Sequence, residues 1–228
     1  MISLMMSRPL QPHIFISRTL KADSVLYRLT DKGYTISGQS LIDIELLDFN
    51  LDETYQAVFF YSKTAIQHFF SKETYQTDLS YGVIGSASAG LFESLCGHAP
   101  HIIGHGNMKN LYHEISNAWT GLTVLIPQAT QSLQRLENNV KTINCISKPI
   151  YKNLINQDIE LPDAQIILLT SPMNAEAYLS LQSLEGKSLF AIGSSTAQRI
   201  EAITGLEVPY CKNPSEKSLY NLVLSKLT

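Results

Sequence analysis

Apolar residues in this chain come in short runs of three to five. Most runs are followed by a stretch in which apolar positions recur every three or four residues. The first pattern suits a buried strand and the second an amphipathic helix. Together they predict strands at 14–16, 57–61, 81–84, 101–103, 122–126, 166–170 and 189–192. Helices are predicted at 22–32, 63–70, 87–96, 108–119, 130–138, 172–181, 195–204 and 214–227. Strands spaced by helices of this length imply parallel sheets, an α/β fold. Two strand-like runs, 39–47 (QSLIDIELL) and 140–151 (VKTINCISKPIY), break the rhythm. The helix ends carry signals. Ser171 precedes Pro172 as a hydroxyl cap before a proline at the first helical position. Asn213, Pro214 and Glu216 repeat that logic, and Ser195 with Gln198 fits a capping box. Gly33, Gly97 and Gly205 suit the left-handed position that closes a helix.

One segment occurs twice. VIGSASAGLFESLCG (83–97) and AIGSSTAQRIEAITG (191–205) lie 108 positions apart and share Ile84/Ile192, Gly85/Gly193, Ser86/Ser194, Ala89/Ala197, Glu93/Glu201 and Gly97/Gly205; Ser88 faces Thr196. Upstream, VFFYSKTAIQHFF (58–70) and IILLTSPMNAEAYL (166–179) align Ser62 with Ser171. Repeats at one spacing mean two copies of one architecture. They fall on opposite sides of the 140–151 run, so the simplest layout is discontinuous. One domain is 1–37 plus 154–228, and the other, 39–152, is inserted into it. The chain then crosses twice between domains on neighbouring segments, a joint able to hinge. Paired domains are expected to enclose a ligand cleft.

Composition narrows the function classes. The 228 residues, 44% hydrophobic and 16% charged, are those of a globular chain that buries a core. A net charge of -3 and scattered Lys and Arg give no attraction to nucleic acid or an anionic membrane. The three cysteines, Cys96, Cys145 and Cys211, are far apart and odd in number, which fits a reducing cytosol. The start MISLMM is too brief for a signal segment, and no stretch approaches a membrane span. No long exposed apolar helix demands a partner, so a monomer is expected.

The Gly-Ser-Ala-Ser-Ala and Gly-Ser-Ser-Thr-Ala turns follow strands and open helices. Small residues there let a ligand approach, and free N–H groups of a first turn favour an anion. Ser86, Ser88, Ser194, Ser195 and Thr196 therefore form a candidate paired anion site, unless the glycines only make tight turns. Neither copy is a Walker loop or a GxGxxG fingerprint, which argues against a nucleotide. His98, His101 and His105 suggest a metal. However, the four-residue gap from His101 to His105 spans about 13 Å in a strand, too far for one zinc ion; edge histidines, with no metal, are the better reading. His68 reads as structural, and Asp43 and Glu45 as a solvated strand edge. No GxSxG, HExxH or paired-Cys site is present. Tyr151, ending the return crossing, is either a packed tyrosine or a proton donor near the cleft.

The chain resembles the uroporphyrinogen-III synthase family. The resemblance rests on FFYSKTA (59–65), VIGSASA (83–89), SKPIY ending at Tyr151, LLTSPMNAEAY (168–178), AIGSSTAQRIEAITGLEVP (191–209) and PSEKSLYNLVLSKL (214–227), in that order over nearly the whole chain. It implies two flavodoxin-like or Rossmann-like parallel-sheet domains joined by a two-stranded connector, with the active-site cleft between them. The activity implied is cyclisation of the linear tetrapyrrole hydroxymethylbilane with inversion of its last ring. An azafulvene and a spiro intermediate lie on the way, and no cofactor takes part. The substrate would be handed over by hydroxymethylbilane synthase. By resemblance Tyr151 assists departure of the terminal hydroxyl, and Ser62, Ser88, Ser171 and Thr196 line the cleft. Holding a reactive substrate in geometry would be much of the catalysis. One departure stands out: family members carry Arg-Gly and a later arginine after the 122–126 strand, where this chain has Pro127-Gln128-Ala129-Thr130-Gln131-Ser132-Leu133. Arg18, Lys63 and Lys148 are the candidate substitutes for gripping carboxylates. Two other readings stay open: a non-catalytic two-domain module that binds an anionic small molecule, and a nucleotide-dependent transferase.

Overall fold

The computed structural model describes residues 11–227; the apolar start MISLMM lies outside them. In chain order the first elements are strand β1 (His13–Ile16), a 3-10 helix (Val25–Lys32), β2 (Thr35–Gly38), β3 (Ile42–Leu46), β4 (Ala57–Phe60) and helix α1 (Lys63–Phe70). Next come β5 (Ser80–Val83), α2 (Ser86–Cys96), β6 (Ile102–Ile103), α3 (Met108–Trp119), β7 (Thr123–Ala129), α4 (Arg135–Asn139) and β8 (Asn144–Ile155). The last are β9 (Ile166–Leu169), α5 (Pro172–Leu181), β10 (Ser188–Ala191), α6 (Ser194–Thr204) and α7 (Glu216–Leu227).

The chain divides into two compact units. One comprises the described residues up to Asp43 and from Ile155 onward, and the other is Ile44–Leu154. The first holds a four-stranded sheet in the order β10-β9-β1-β2, parallel throughout, with Ile14 beside both Ile36 and Ile166. The other sheet runs β3-β8-β7-β4-β5-β6 and is parallel from β8 to β6. The backbone passes from one unit to the other within β3 and returns within β8. These strands are neighbours in the sheet, and Leu47 N–H donates to the Ile150 carbonyl at 2.9 Å.

Alternation along each strand sends side chains to opposite faces, and both faces are covered. In the first unit Phe15, Ile167, Leu169 and Leu189 pack with Ala175, Tyr178, Ala197 and Ile200 of α5 and α6. Ile14, Ile16, Ile166 and Leu168 point the other way, onto Leu26 and Leu29 of the 3-10 helix and Leu219 and Val223 of α7. In the second unit Val58, Phe60, Tyr81 and Leu125 meet Ile66 and Phe69 of α1 and Phe92 of α2. Its other face sets Phe59, Val124 and Ile126 against Leu111, Ile115 and Trp119 of α3. Strands covered on both sides explain why their sequence reads as unbroken apolar runs. Each large side chain so buried stabilises its unit by roughly 1.5–3 kcal/mol.

The mixed α/β architecture with parallel strands is therefore as the pattern predicts, and the departures are local. The 22–32 stretch is a 3-10 helix opened by Ser24, whose Oγ accepts from Leu26 N–H at 3.2 Å. The 130–138 helix shrinks to α4, because β7 runs on to Ala129, pairs with Tyr151 through a bulge, and leaves Gln134 left-handed at φ 48. β2 was not anticipated. α7 opens two residues later than Pro214, with Ser215 Oγ accepting from Ser218 N–H at 3.1 Å. The proposed capping box at Ser195 does not form; α6 starts after Gly193 with no side-chain cap. By contrast Gly33, Gly97 and Gly205 all take the left-handed conformation expected at helix ends.

Each unit carries one wholly buried tyrosine, Tyr81 and Tyr178. Burial pushes both phenols up to about 12. The folded chain keeps these protons at pH values where an unfolded tyrosine, ionising near 10, gives them up. Their contribution is complete below pH 10 and fades as pH rises from 10 toward 12. Urea midpoints are expected to fall steeply across that window, and less steeply in Tyr81→Phe. Midpoints that stay flat to pH 11.5 would contradict this account.

Candidate active site

Parallel strands deliver their following helices to one edge of the sheet, with the helix N-termini at the strand carboxyl ends. In the second unit β4 and β5 lie side by side, so α1 and α2 open as neighbours; β9 and β10 do the same for α5 and α6 in the first. None of these four helices has an acidic residue in its first turn. The partial positive charge of the free N–H groups is left for a ligand to neutralise.

Ser62 is the N-cap of α1, and its Oγ accepts from Ala65 N–H at 3.1 Å. The same oxygen lies 2.9 Å from the Tyr151 hydroxyl. Tyr151 reaches it from β8, with its ring in the core beside Val58, Ala65 and Leu125 and only 7% of the residue exposed. Lys63, the first residue of α1, is exposed and forms no ion pair among the described residues. A cation at a helix N-terminus costs a few tenths of a kcal/mol to about 1 kcal/mol, so this lysine suits anion attraction rather than helix stability. In α2, Ser86 is exposed. Ser88 is 6% exposed and its hydroxyl has no hydrogen-bond partner among the described residues.

The first unit repeats the arrangement. Ser171 caps α5, and its Oγ accepts from Asn174 N–H at 3.1 Å and from Asn174 Nδ2 at 3.0 Å. Asn174 is itself oriented by Leu41 N–H, which donates to Oδ1 at 2.8 Å. At the adjoining strand ends Ser17 Oγ accepts from Thr170 N–H, and Thr170 Oγ1 donates to the Ser17 carbonyl, both at 2.9 Å. In α6, Ser194 and Ser195 are exposed, whereas Thr196 is 1% exposed with no partner for its hydroxyl among the described residues. Gly193 is held to glycine by Pro214, whose Cγ would lie 2.9 Å from an added Cβ.

The remaining candidates are committed elsewhere. Arg18 pairs with Glu216, which also accepts from Val25 N–H at 3.3 Å, and Lys148 pairs with Glu53 at 3.4 Å. His98 stacks on Tyr75 at 4.6 Å, and His101 Nδ1 accepts from Tyr81 N–H at 3.0 Å. Among the described residues no group of three His, Cys, Asp or Glu is placed to hold a metal ion. His68 is buried, with Nε2 2.8 Å from the Leu47 carbonyl.

Sequence reasoning missed a polar network that includes Gln128, in the stretch after the 122–126 run. Glu137 accepts from Tyr61 Oη at 2.9 Å, Gln128 Nε2 at 3.0 Å and Ser147 Oγ at 2.7 Å. Leu136 N–H donates to Tyr61 Oη at 2.6 Å. Burial holds the Tyr61 phenol far above its usual range despite that donation, with the Glu137 charge adding to the effect. Gln128 is 3% exposed, and its Oε1 has no partner among the described residues. Of this network only Tyr61 borders a cavity of about 220 Å³, with Ile84, Ser132, Leu133, Gln134 and Arg135. Glu137→Ala strands three donors at once. It is expected to destabilise the second unit by about 2–3 kcal/mol, while Glu137→Gln costs less, as read by urea unfolding.

No curated protein matches the chain. Its structure is similar to that of a uroporphyrinogen-III synthetase from Helicobacter pylori 26695, at 18% identity and a TM-score of 0.69, covering 94% of this chain and 99% of that one. It is also similar to a mutant uroporphyrinogen III synthase from the extremely thermophilic bacterium Thermus thermophilus, at 12% identity and a TM-score of 0.60, covering 95% and 97%. At such identities the likeness is one of fold. The family model of uroporphyrinogen-III synthase HemD, however, matches residues 25–221, nearly all of the described sequence. The chain thus belongs to the uroporphyrinogen-III synthase HemD family.

Proposed function

We propose that the chain carries out the synthase reaction of its family with a small set of hydroxyls and helix N-termini. Hydroxymethylbilane loses its terminal hydroxyl, the resulting azafulvene is attacked to give a spiro intermediate, and rearrangement closes the macrocycle with the last ring inverted. The observation that carries this reading is the 2.9 Å hydrogen bond between Tyr151 and Ser62 at the opening of α1. A phenol, a hydroxyl and a positive helix end meet there, a setting suited to protonating a leaving hydroxyl and holding a carboxylate.

The substrate is a polycarboxylate and the protein has net charge -3, so bulk attraction cannot bind it. Local donors can. Ser86, Ser88 and Lys63 in one unit, and Ser171, Ser194, Ser195 and Thr196 in the other, sit at helix starts that lack their own acids. Ser88 and Thr196 are the strongest candidates, because each is a largely buried residue held in place by packing while its hydroxyl, without a partner among the described residues, keeps its proton for a ligand. Arg18 contributes through its pair with Glu216 rather than as a free cation. The proposal includes delivery of the bilane by the synthase that makes it, a monomeric state, and a cytoplasmic setting. The setting is supported by three free thiols. No helix among the described residues is long and apolar enough to cross a membrane.

The test is a coupled assay in which hydroxymethylbilane is generated by its own synthase and the oxidised products are separated by isomer. Isomer III is expected; isomer I alone from folded protein points to a binding module. Tyr151→Phe should lower turnover without unfolding the protein. Thr196→Val and Ser88→Ala should each raise KM by about ten- to a hundredfold, a lost hydrogen bond to a charged group being worth about 1.5–3 kcal/mol. Unchanged KM in both variants removes α2 and α6 from substrate binding.

A further inference from the structure

A hydroxyl has one proton to give and two lone pairs to fill. At Ser171 both lone pairs are spoken for, by Asn174 N–H and Asn174 Nδ2, and Leu41 N–H on Oδ1 fixes which end of the amide faces the serine. The Ser171 proton can therefore only point outward. Ser62 occupies the matching place in the other unit. Ala65 N–H fills one of its lone pairs, and the Tyr151 hydroxyl stands where Asn174 Nδ2 stands in the first unit. An amide nitrogen must donate, and a phenol can. Tyr151 is 7% exposed with its ring packed in the core, whereas Ser62 is half-buried at the tip of the helix.

We propose that Tyr151 donates its proton to Ser62 Oγ and that Ser62, not Tyr151, is the group that touches and protonates the departing hydroxyl of the substrate. This rests on the synthase reading given above. Two donors into one oxygen at the positive end of a helix stabilise charge developing on Oγ and make the Ser62 proton easier to release. As the terminal C–O bond breaks, its electron pair leaves on the hydroxyl oxygen, which takes the Ser62 proton and departs as water. The Tyr151 proton moves to Ser62. Attack of the last ring on the azafulvene forms the spiro carbon–carbon bond, the bond from that ring carbon to its original methylene breaks and re-forms at the free ring position, and the proton expelled from that position as the pyrrole regains its aromaticity returns through Ser62 to Tyr151. The bilane thus becomes the macrocycle plus water, with no proton, electron or co-reactant left over. Tyr151 is a positioning and relay residue, and Ser62 the catalytic one.

The proposal is tested by single-turnover formation of isomer III with the full chain and freshly generated hydroxymethylbilane, comparing Ser62→Ala, Ser62→Thr, Tyr151→Phe and the double variant. Ser62→Ala should lose about a hundredfold in kcat, the scale of a lost general acid, with KM within about twofold. Tyr151→Phe should lose only about tenfold, because Ser62 keeps its own proton, and the double variant should match Ser62→Ala. Ser62→Thr should restore most of the rate. Mixed H2O/D2O should give a curved rate dependence for the native chain and a straight line for Tyr151→Phe. If Ser62→Ala fails to fold, Ser62→Gly, which keeps most of the cap's stability, takes its place. A Tyr151→Phe loss equal to or larger than the loss at Ser62 overturns the proposed order. Isomer I alone from the native chain instead overturns the synthase reading itself.

Discussion

A helix that opens without an acid in its first turn leaves its N–H groups and their partial positive charge for something else to meet. In this chain the constraint falls on α1, α2, α3, α5 and α6, each following a parallel strand, and at α3 the Asn107 side chain answers it by accepting from Lys109 and Asn110 N–H. Hydroxyls answer it partly at α1 and α5, through Ser62 and Ser171, and at α2 and α6 no side chain answers it. In the function proposed above, a chain with net negative charge holds its polycarboxylate through these backbone groups, which cannot be titrated away or drawn into an ion pair as Arg18 is by Glu216.

The cores serve that arrangement. Both sheets are covered on two faces, so the strand ends are held by packing from α1 and α2 on one side and α3 on the other, and likewise in the first unit. Tyr151 joins core and chemistry in one residue: its ring packs with Val58 and Leu125, and its hydroxyl reaches the cap of α1. A side chain anchored in this way loses little rotamer freedom when it acts, because that freedom was already given up in folding.

Much of the architecture was legible because burial on two faces writes itself as apolar runs and helix ends write themselves as Ser-Pro and Gly. The α5 start at Ser171-Pro172 and the left-handed Gly97 and Gly205 are local events with local signals. The 130–138 helix was misread for the opposite reason. Nothing local shows that β7 continues to Ala129 and spends those residues on pairing with β8. The site divides along the same line. Hydroxyl positions could be named from the chain, but their partners could not. Ser62 meets Tyr151 across 89 positions, Leu41 orients Asn174 across 133, and Glu137 gathers Tyr61 and Gln128 from the ends of β4 and β7 and Ser147 from within β8. Such pairings depend on how strands and helices pack together, which the whole unit sets.

The order of strands in the first unit has a consequence for how the protein is made. β1 sits between β2 and β9, with Ile14 paired to Ile166, and the whole of Ile44–Leu154 lies between those residues in the chain. At about 5–20 residues per second, β1 leaves the ribosome roughly 8–30 s before β9 exists. In that interval Phe15, Ile14 and Ile16 have only the edge strand β2 to pair with and neither of their covering helix layers is complete. The intervening unit is contiguous and able to complete itself first. The exposure of β1 to chaperones, proteases and aggregation is therefore set by how fast the chain is translated as far as β9 rather than by the stability of the finished fold.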